Sequence, residues 1–251
     1  MAGVDGRVAL VTGAGRGIGK ITTELLTARG ARVMAVARSE AELAALGVEY
    51  AIADLGTVEG CTLAVEETVR KLGPVEIFVC NHGIGSAHER VLWKQDPDVW
   101  YETMRINLDG PFHLSRLLLP SMVDGGYGRM VYTSSTAARV AEPAGSAYNC
   151  SKHGLLGLMR SVAQDGGPYG ITSNAVLPGW VRTAMAERSA EAEARDRGVS
   201  PQEIWKERDA MYLPGRVVTP GEVAEMIAFL ASEESSGVSG QAITVALGGQ
   251  S

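Results

Sequence analysis

The sequence predicts an α/β protein built on a doubly wound parallel sheet of about seven strands, with helices on both faces of the sheet. Apolar runs of strand length alternate along the chain with longer stretches of helical periodicity. Each run is apolar throughout, which is typical of parallel strands that are buried on both faces. The regular alternation implies right-handed crossovers between successive strands. The predicted strands are Arg7–Thr12, Arg32–Ala37, Val48–Ala53, Val75–Cys80, Arg129–Ser134, Ile171–Leu177 and Gln241–Val245.

Helical patterns fill the intervals between these runs, and no linker rich in Pro, Gly or Ser divides the chain. A chain of 251 residues is of ordinary length for one α/β domain, so residues 1–251 are predicted to form a single domain. The predicted helices are Gly17–Arg29, Val58–Leu72, Pro97–Ser121, Ser146–Asp165 and Gly221–Ala231.

The segment 183–213 departs from the alternation of strands and helices. It is polar and helical in its middle but carries apolar side chains, including Met185, Trp205, Met211 and Tyr212. An insertion after the sixth strand lies at the carboxyl edge of the sheet, where open α/β proteins bind their ligands. We therefore interpret the segment as a substrate lid and expect an apolar or aromatic substrate. A helical excursion that only packs against the domain is the alternative.

Composition excludes several classes of partner. The formal net charge is −6 at pH 7 and no basic tract stands out, so neither nucleic acid nor an anionic membrane surface is a predicted partner. No apolar run reaches the roughly 18 residues that span a bilayer, and no signal peptide precedes the first strand. Three scattered cysteines are too few for a disulfide framework or a zinc site. These features predict a cytoplasmic protein without a metal centre.

A glycine-rich turn between the first strand and the first helix predicts a dinucleotide site in a Rossmann-like fold. It reads Thr12-Gly13-Ala14-Gly15-Arg16-Gly17-Ile18-Gly19, a Thr-Gly-x-x-x-Gly-x-Gly spacing in which Ile18 replaces the last glycine of Gly-x-Gly-x-x-Gly. Glycines here allow a tight turn and let a pyrophosphate approach the N–H groups of the helix N-terminus. Such turns also form for structural reasons, but the position at the first strand–helix junction favours nucleotide binding.

The end of the second predicted strand indicates which nicotinamide cofactor binds. A carboxylate there would hydrogen-bond the ribose of NAD and repel a 2′-phosphate. The sequence instead has Ala37-Arg38, with no acid before Glu40. Arg38 can pair with the phosphate through its planar guanidinium, and Arg16 adds a second positive charge. NADP is therefore favoured over NAD, unless both arginines simply face water.

Tyr148 and Lys152 are the candidate acid–base pair. They are four residues apart in a predicted helix and so share one face of it. A nearby ammonium lowers the pKa of a phenol, which is otherwise about 10, toward the range that serves proton exchange. Tyr-x-x-x-Lys is common by itself. Ser135, thirteen residues before Tyr148 at the end of the fifth predicted strand, makes it significant because its hydroxyl can polarise a substrate oxygen.

These motifs, in this order, resemble those of the short-chain dehydrogenase/reductase family, and the resemblance covers essentially the whole chain. It implies an NAD(P)-dependent interconversion of a secondary alcohol and a ketone, with Tyr148 as the acid/base and Ser135 on the substrate oxygen. Lys152 would hold the nicotinamide ribose, and Asn107 would anchor a water-mediated proton relay. The cofactor contacts that the resemblance and the glycine turn imply are Gly13, Gly15, Arg16, Gly17, Ile18, Gly19, Arg38, Asp54, Leu55, Asn81, Gly83, Tyr148, Lys152, Pro178, Gly179, Val181 and Thr183.

The sequence also departs from the family pattern. The usual Asn-Asn-Ala-Gly reads Cys80-Asn81-His82-Gly83, which suggests a metal or nucleophile site, but only His88 lies nearby as a further ligand and the spacing fits no metal. We interpret the tetrapeptide as a variant turn under the cofactor. The resemblance implies a homodimer or homotetramer that assembles through the predicted helices Pro97–Ser121 and Ser146–Asp165. An isomerase or dehydratase, or a nucleotide-sensing regulator, on the same fold are the alternative functions.

Overall fold

The computed structural model describes residues 3–86 and 89–249 and is built on one seven-stranded parallel sheet. Its strands are β1 (Val8–Thr12), β2 (Arg32–Ala37), β3 (Glu49–Ile52), β4 (Ile77–Cys80), β5 (Gly128–Thr133), β6 (Ile171–Pro178) and β7 (Ala242–Val245). They lie in the order β3-β2-β1-β4-β5-β6-β7, and every neighbouring pair is parallel. The predicted sheet is confirmed, and the strand ends differ from the prediction by two residues at most.

Helices cover both faces of this sheet. They are α1 (Gly17–Ala28), α2 (Glu40–Ala44), α3 (Val58–Leu72), α4 (Pro97–Met104), α5 (Gly110–Gly125), α6 (Ser146–Gly166), α7 (Ala184–Arg197), α8 (Pro201–Ala210) and α9 (Pro220–Leu230). Alternate residues of each strand point to opposite faces. Leu10 of β1 accordingly packs in the core that contains Leu114 of α5 and Leu155 of α6, whereas Val11 packs in the core that contains Leu26 of α1 and Ile227 of α9.

The strand order reverses between β1 and β4, and this reversal opens a crevice at the carboxyl edge of the sheet. Strands β2 and β3 lie on one side of β1, and strands β4 to β7 lie on the other side. The crossovers that leave β1 and β4 therefore run in opposite directions, and they separate the two loops that follow these strands. Ligands of open α/β sheets bind at such a switch point. The glycine turn and the Cys80–Gly83 turn both lie there.

The predicted helix Pro97–Ser121 is not continuous, which corrects the sequence analysis. A π-helical turn, Arg105–Asp109, separates α4 from α5, and its end is closed by the Gly110 N–H, which donates to the Arg105 carbonyl. The cause is Pro111. It has no N–H to offer the carbonyl of Asn107 four residues earlier, and its ring would clash with that carbonyl in a regular α-helix. One extra residue in the turn removes the clash, and it also widens the helix at Asn107.

The segment 183–213 folds into α7 and α8, joined at Gly198, which adopts a left-handed conformation with φ of +67°. Trp205 and Tyr212 are buried in a small core of their own with Val217 and Ala246. The Trp205 indole N–H donates to Glu187 at 2.7 Å. These two aromatic side chains therefore stabilise the segment itself, so they do not indicate an aromatic substrate as the sequence analysis expected.

Within the described residues, no helix combines the length and the apolar character that a membrane crossing requires.

Candidate active site

The glycine turn after β1 has the shape that its sequence predicts, and three of its glycines are required by geometry. Gly13 and Gly17 have φ of +63° and +55°, where side chains are strained. A Cβ at Gly19 would lie 2.2 Å from the Gly13 carbonyl oxygen and 2.5 Å from Asn81 Nδ2. The turn is therefore packed directly against the residue that follows β4. The turn thus forms a cradle beside Asn81, and the Glu42 side chain borders it, with Oε2 2.7 Å from the position of a Cβ at Gly15.

The N-terminus of α1 is available to an anion. Its N-cap residue, Arg16, makes no side-chain capping hydrogen bond, and the first turn carries no acidic side chain. Because the first N–H groups of a helix have no partner inside the helix, they can bind the pyrophosphate of a dinucleotide. The predicted turn residues, Gly15 and Ile18 among them, thus form a site that fits NAD(P).

Charged residues surround the place that the adenosine end of the dinucleotide would occupy. Arg38 follows β2 and is exposed, and Arg16 Nη1 lies 3.7 Å from Glu42 Oε1. Asp54 follows β3, and a hydrogen bond from the Gly56 N–H lowers the pKa of its carboxyl, with a smaller contribution from Arg105. Asp54 therefore remains an acceptor at neutral pH. Leu55 beside it is buried in the core and brings only its backbone to this edge.

The Thr12 hydroxyl closes the floor of the crevice by joining β1 to the turn after β4. It donates to the Val79 carbonyl at 3.2 Å and accepts from the Asn81 N–H at 3.0 Å. The ring nitrogen Nδ1 of His82 lies 2.8 Å from the same oxygen. Asn81 in turn donates from Nδ2 to the Gly13 carbonyl at 3.3 Å. The two loops that border the crevice are thus fixed to one another.

Ser135 and Tyr148 come together at the carboxyl end of β5. Ser135 Oγ accepts the Ala137 N–H at 3.1 Å, so its own proton is free to be donated into the site. The Ser135 side chain is also near enough to the Tyr148 phenol to favour its ionised form, which lowers the pKa of Tyr148. Lys152 Nζ lies 5.6 Å from the centre of the Tyr148 ring and donates to the Thr133 carbonyl at 3.0 Å. The three predicted residues therefore share one pocket.

The protonation of this pair differs from the sequence-based expectation. Burial raises the pKa of Tyr148 to about 12, although the neighbouring Ser135 hydroxyl opposes the rise. Burial also lowers the pKa of Lys152 to about 8. The expectation of a lowered phenol pKa is wrong for this structure, because desolvation outweighs an ammonium that is directed at the Thr133 carbonyl. At neutral pH Tyr148 is a phenol, which is the form that can donate a proton.

Asn107 lies in the π-helical turn and is completely buried, with each polar atom of its amide used. Its Oδ1 accepts the Ile84 N–H at 2.8 Å, and its Nδ2 donates to the Ile84 carbonyl at 2.9 Å and to Ser151 Oγ at 3.2 Å. A Cβ at Gly83 would lie 3.1 Å from Asn107 Oδ1 and 3.6 Å from Lys152 Nζ. Gly83 thus allows Asn107 and Lys152 to approach one another.

The segment after β6 borders the crevice from the other side. Pro178 ends β6, and Val181 is buried and forms an isolated bridge with Val218. Thr183 caps α7 by accepting the Ala186 N–H at 3.3 Å. The Cγ2 atom of Thr183 would lie 3.3 Å from a Cβ at Gly17, so it packs against the glycine turn.

Gly179 and Met185 complete this side of the site. A Cβ at Gly179 would lie 2.4 Å from the Tyr212 hydroxyl, so only glycine permits this contact. Met185 Sδ would lie 3.3 Å from a Cβ at Gly85, in the segment after β4. The first turn of α7 therefore spans the crevice.

Two functional candidates were missed in the sequence. Glu89 accepts the N–H groups of Ala147 and Tyr148, and Ser151 donates to the Tyr148 carbonyl at 2.8 Å while it contacts Asn107. The spacing of Tyr148 and Ser151 on one helix could have suggested the second contact. Nothing local could have suggested the first, because it joins residues 58 and 59 positions apart.

The Cys80 and His82 side chains are both neutral. Burial raises the pKa of the Cys80 thiol to about 12 and lowers the pKa of His82 to about 3. A neutral thiol is a poor nucleophile. No group of three His, Cys, Asp or Glu side chains in residues 3–86 and 89–249 is arranged to hold a metal, and His88 lies outside these residues.

The chain is similar in sequence and in structure to several known proteins. A family model described as enoyl-(acyl carrier protein) reductase matches residues 13–250. The acetoacetyl-CoA reductase of Rhizobium meliloti is 35% identical over 250 residues, which cover 97% of this chain and 98% of that protein. The crystal structure of levodione reductase aligns with a TM-score of 0.93 and 28% identity, over 97% of each chain. The structure of actinorhodin polyketide ketoreductase with NADPH aligns with a TM-score of 0.88 and 32% identity, over 95% of each chain.

Fold and site thus define an NAD(P)-dependent oxidoreductase, and the chain belongs to the short-chain dehydrogenase/reductase family. It interconverts a secondary alcohol and a ketone, in the manner of a carbonyl reductase. The fold class, the family, the enzyme class and the cofactor class predicted from the sequence are confirmed.

Replacement of Gly19 by Ala is expected to weaken NADPH binding and to lower the free energy of unfolding by about 1–3 kcal/mol, because the new Cβ forces the glycine turn away from Asn81. Fluorescence titration with NADPH and thermal unfolding measure the two effects. The matched control is Gly157→Ala in α6, where a Cβ meets nothing within 4 Å. That control is expected to bind NADPH normally and to gain roughly 0.5–1 kcal/mol of stability. Normal NADPH affinity in Gly19→Ala would contradict this account of the turn.

Proposed function

We propose that the chain reduces a ketone with NADPH as hydride donor and Tyr148 as proton donor. The observation that carries this proposal is the meeting of Ser135, Tyr148, Lys152 and Asn107 at the switch point of the sheet, beside a cradle that fits a dinucleotide. A nucleotide-sensing regulator would have no need of a tyrosine with a serine and a lysine beside it. An isomerase or dehydratase is supported by no particular contact.

In the proposed reaction each residue has a separate task. The nicotinamide supplies hydride to the carbonyl carbon when it is bound. Ser135 donates a hydrogen bond to the substrate oxygen and keeps its proton, and the Tyr148 phenol transfers the single proton that completes the alcohol. Lys152 holds the nicotinamide ribose and, with a pKa of about 8, returns a proton to Tyr148 at neutral pH. Asn107 fixes the Ile84 backbone and Ser151, and so anchors the path by which Lys152 is reprotonated.

The remaining predicted contacts orient the cofactor in this proposal. Asn81 and Gly83 line the crevice after β4, and Pro178, Gly179, Val181 and Thr183 border the nicotinamide. The Thr183 hydroxyl accepts the Ala186 N–H, so its own proton is free for the carboxamide.

The substrate class is proposed to be an oxoacyl compound. Two relatives support a ketone at the β carbon of an acyl group. They are the acetoacetyl-CoA reductase named above and the 3-oxoacyl-[acyl-carrier-protein] reductase of Thermotoga maritima, which is 33% identical over 252 residues. The proposed lid, residues 183–213, would cover it, and the exposed side chains of Met185 and Met211 would supply apolar contacts. A panel of oxoacyl thioesters, cyclic diketones and aromatic ketones, followed by NADPH absorbance, tests this assignment.

We also propose that the protein is cytoplasmic, on the basis of three unpaired cysteines, of which Cys150 is exposed.

Tyr148→Phe is expected to reduce ketones about 10²–10⁴-fold more slowly, because it removes the proton donor. NADPH binding, measured by fluorescence titration, is expected to change little. The matched control is Tyr169→Phe, an exposed tyrosine beyond the end of α6, which is expected to leave the rate unchanged. Reduction by Tyr148→Phe at the wild-type rate would refute the proposed mechanism.

Arg38→Asp is expected to weaken NADPH use by roughly 10–100-fold in kcat/KM, because it replaces a charge-assisted bond to the 2′-phosphate by repulsion. Use of NADH is expected to fall much less. Arg32→Asp, at the opposite end of β2, controls for the change in net charge. Equal losses with both cofactors would show that Arg38 does not select the phosphate.

A homotetramer or homodimer is proposed, supported by large apolar side chains that α4 and α5 leave exposed. Tyr101 and Phe112 are 68% and 46% exposed. Tyr101→Glu is expected to lower the molar mass measured by light scattering, because a charge would be buried in the interface. Ile52→Glu, on the edge strand β3, is the matched control and is expected to leave the mass unchanged. A monomeric wild-type protein would exclude the proposed assembly.

A further inference from the structure

We infer that Glu89 is a positioning residue for Tyr148, holding the backbone of the proposed proton donor with a carboxylate from a distant segment. This inference rests on the proposed role of Tyr148. Glu89 is 4% exposed and lies between β4 and α4. Its Oε2 accepts the Ala147 N–H and its Oε1 accepts the Tyr148 N–H, both at 2.8 Å. One carboxylate therefore fixes two consecutive residues, the second of which is Tyr148 itself.

The helix that carries Tyr148 depends on this contact because it has no cap of its own. Its N-cap residue is Gly145, which has no side chain to accept the first N–H groups. By contrast, α8 and α9 are capped by Ser200 and Thr219 within complete capping boxes. A carboxylate at a helix N-terminus is also favoured by the helix dipole. Glu89 thus provides the α6 N-terminus with the hydrogen-bond acceptor that α8 and α9 obtain from their own N-cap residues.

The same segment is tied to the site at its other end. Ile84 is bound through both backbone groups by Asn107, which contacts Ser151, and Ser151 donates to the Tyr148 carbonyl. Tyr148 is therefore held at its N–H by Glu89 and at its carbonyl through Ser151. Both connections lead back to the segment between β4 and α4. This double attachment leaves the backbone of Tyr148 little freedom to rotate its phenol away from Ser135.

Glu89 also acts on Tyr148 through its charge. In the part of the chain that the structure describes, three charged groups lie near the phenol: Glu142 from the segment before α6, Glu89 from the β4–α4 segment, and the Lys152 ammonium on α6. After burial, which is the largest cause, the two carboxylates raise the pKa of Tyr148 further. Burial raises the pKa of the Glu89 carboxyl, and the hydrogen bonds from the Tyr148 and Ala147 N–H groups oppose this rise. The ionised form is favoured by geometry, since a carboxylic O–H would oppose one of the two N–H donors.

Glu89→Gln tests both the positioning and the charge. The variant keeps the size of the side chain, but its NH₂ group faces one of the two N–H donors and its charge is lost. We expect kcat for ketone reduction to fall about 10-fold with an unchanged KM for NADPH, because the phenol is displaced after the cofactor has bound. We also expect the alkaline fall of the reduction rate to begin at lower pH. A phenol without the neighbouring carboxylate loses its proton more readily.

Two further variants separate this role from helix stability. Gly145→Ser in the Glu89→Gln background supplies a neutral cap to the same helix turn, where a Cβ meets no atom closer than 3.4 Å. We expect it to restore the melting temperature but not the pH profile. Glu89→Asp, which keeps the charge, is expected to retain the wild-type pH profile. Glu222→Gln removes a capping carboxylate from α9 and is expected to lower the melting temperature alone.

The outcomes distinguish this inference from the proposed function. If Glu89→Gln lowers only the melting temperature and its pH profile overlays that of the wild type, Glu89 is a structural cap and the inference is overturned. Restoration of the pH profile by the neutral Gly145→Ser cap would overturn it as well. If instead Tyr148→Phe retains full activity, the proposed function fails, whatever Glu89→Gln shows.

Discussion

The hydroxyl of Thr12 is the contact on which the rest of the site depends. It lies at the reversal of strand order, where β1 and β4 would otherwise diverge into independent loops. Through one oxygen it joins the Val79 carbonyl, the Asn81 N–H and the His82 ring. A buried hydroxyl has to be satisfied by such partners, so the distance between the two loops has little freedom. The cradle for the dinucleotide and the pocket for the carbonyl therefore keep a constant separation.

Burial governs the chemistry of this pocket more than pairing does. Desolvation raises the pKa of Tyr148, which therefore keeps its proton, and lowers the pKa of Lys152, which therefore loses its proton more readily. The two shifts move the pKa values apart, from 10.0 and 10.5 to about 12 for Tyr148 and about 8 for Lys152, so transfer of a proton from the Lys152 ammonium to a Tyr148 tyrosinate is favourable. The same desolvation keeps Cys80 and His82 neutral beneath the cofactor crevice. The residues that depart from the family pattern therefore add no competing charge beside Lys152.

Local patterns predict most of the fold because the strands are mostly apolar runs and the helices are separated by clear breaks. The residues of the site that lie within single motifs, such as Tyr148 with Lys152 and the glycine turn, are predicted for the same reason. The π-helical turn is not, since periodicity continues through it and only Pro111 marks the place. The prediction that Trp205 contacts the substrate is not supported, because the inserted segment packs this side chain into a separate hydrophobic cluster. The role of Glu89 cannot be predicted from the sequence, because a residue that caps a helix from a distant segment leaves no periodic or spacing signal near that helix.

The absence of a local cap on α6 has a consequence for the order of folding. An uncapped helix end frays unless tertiary contacts hold it, and the contact that holds α6 comes from residues much earlier in the chain. The first turn of α6 is therefore expected to become ordered only when the segment between β4 and α4 docks on the assembled sheet. Such non-local contacts form late, because chain entropy opposes them until the core exists. Assembly of the catalytic pocket would then be among the last events of folding. A partly folded chain would contain Tyr148 but would not yet hold it in the position that proton transfer requires.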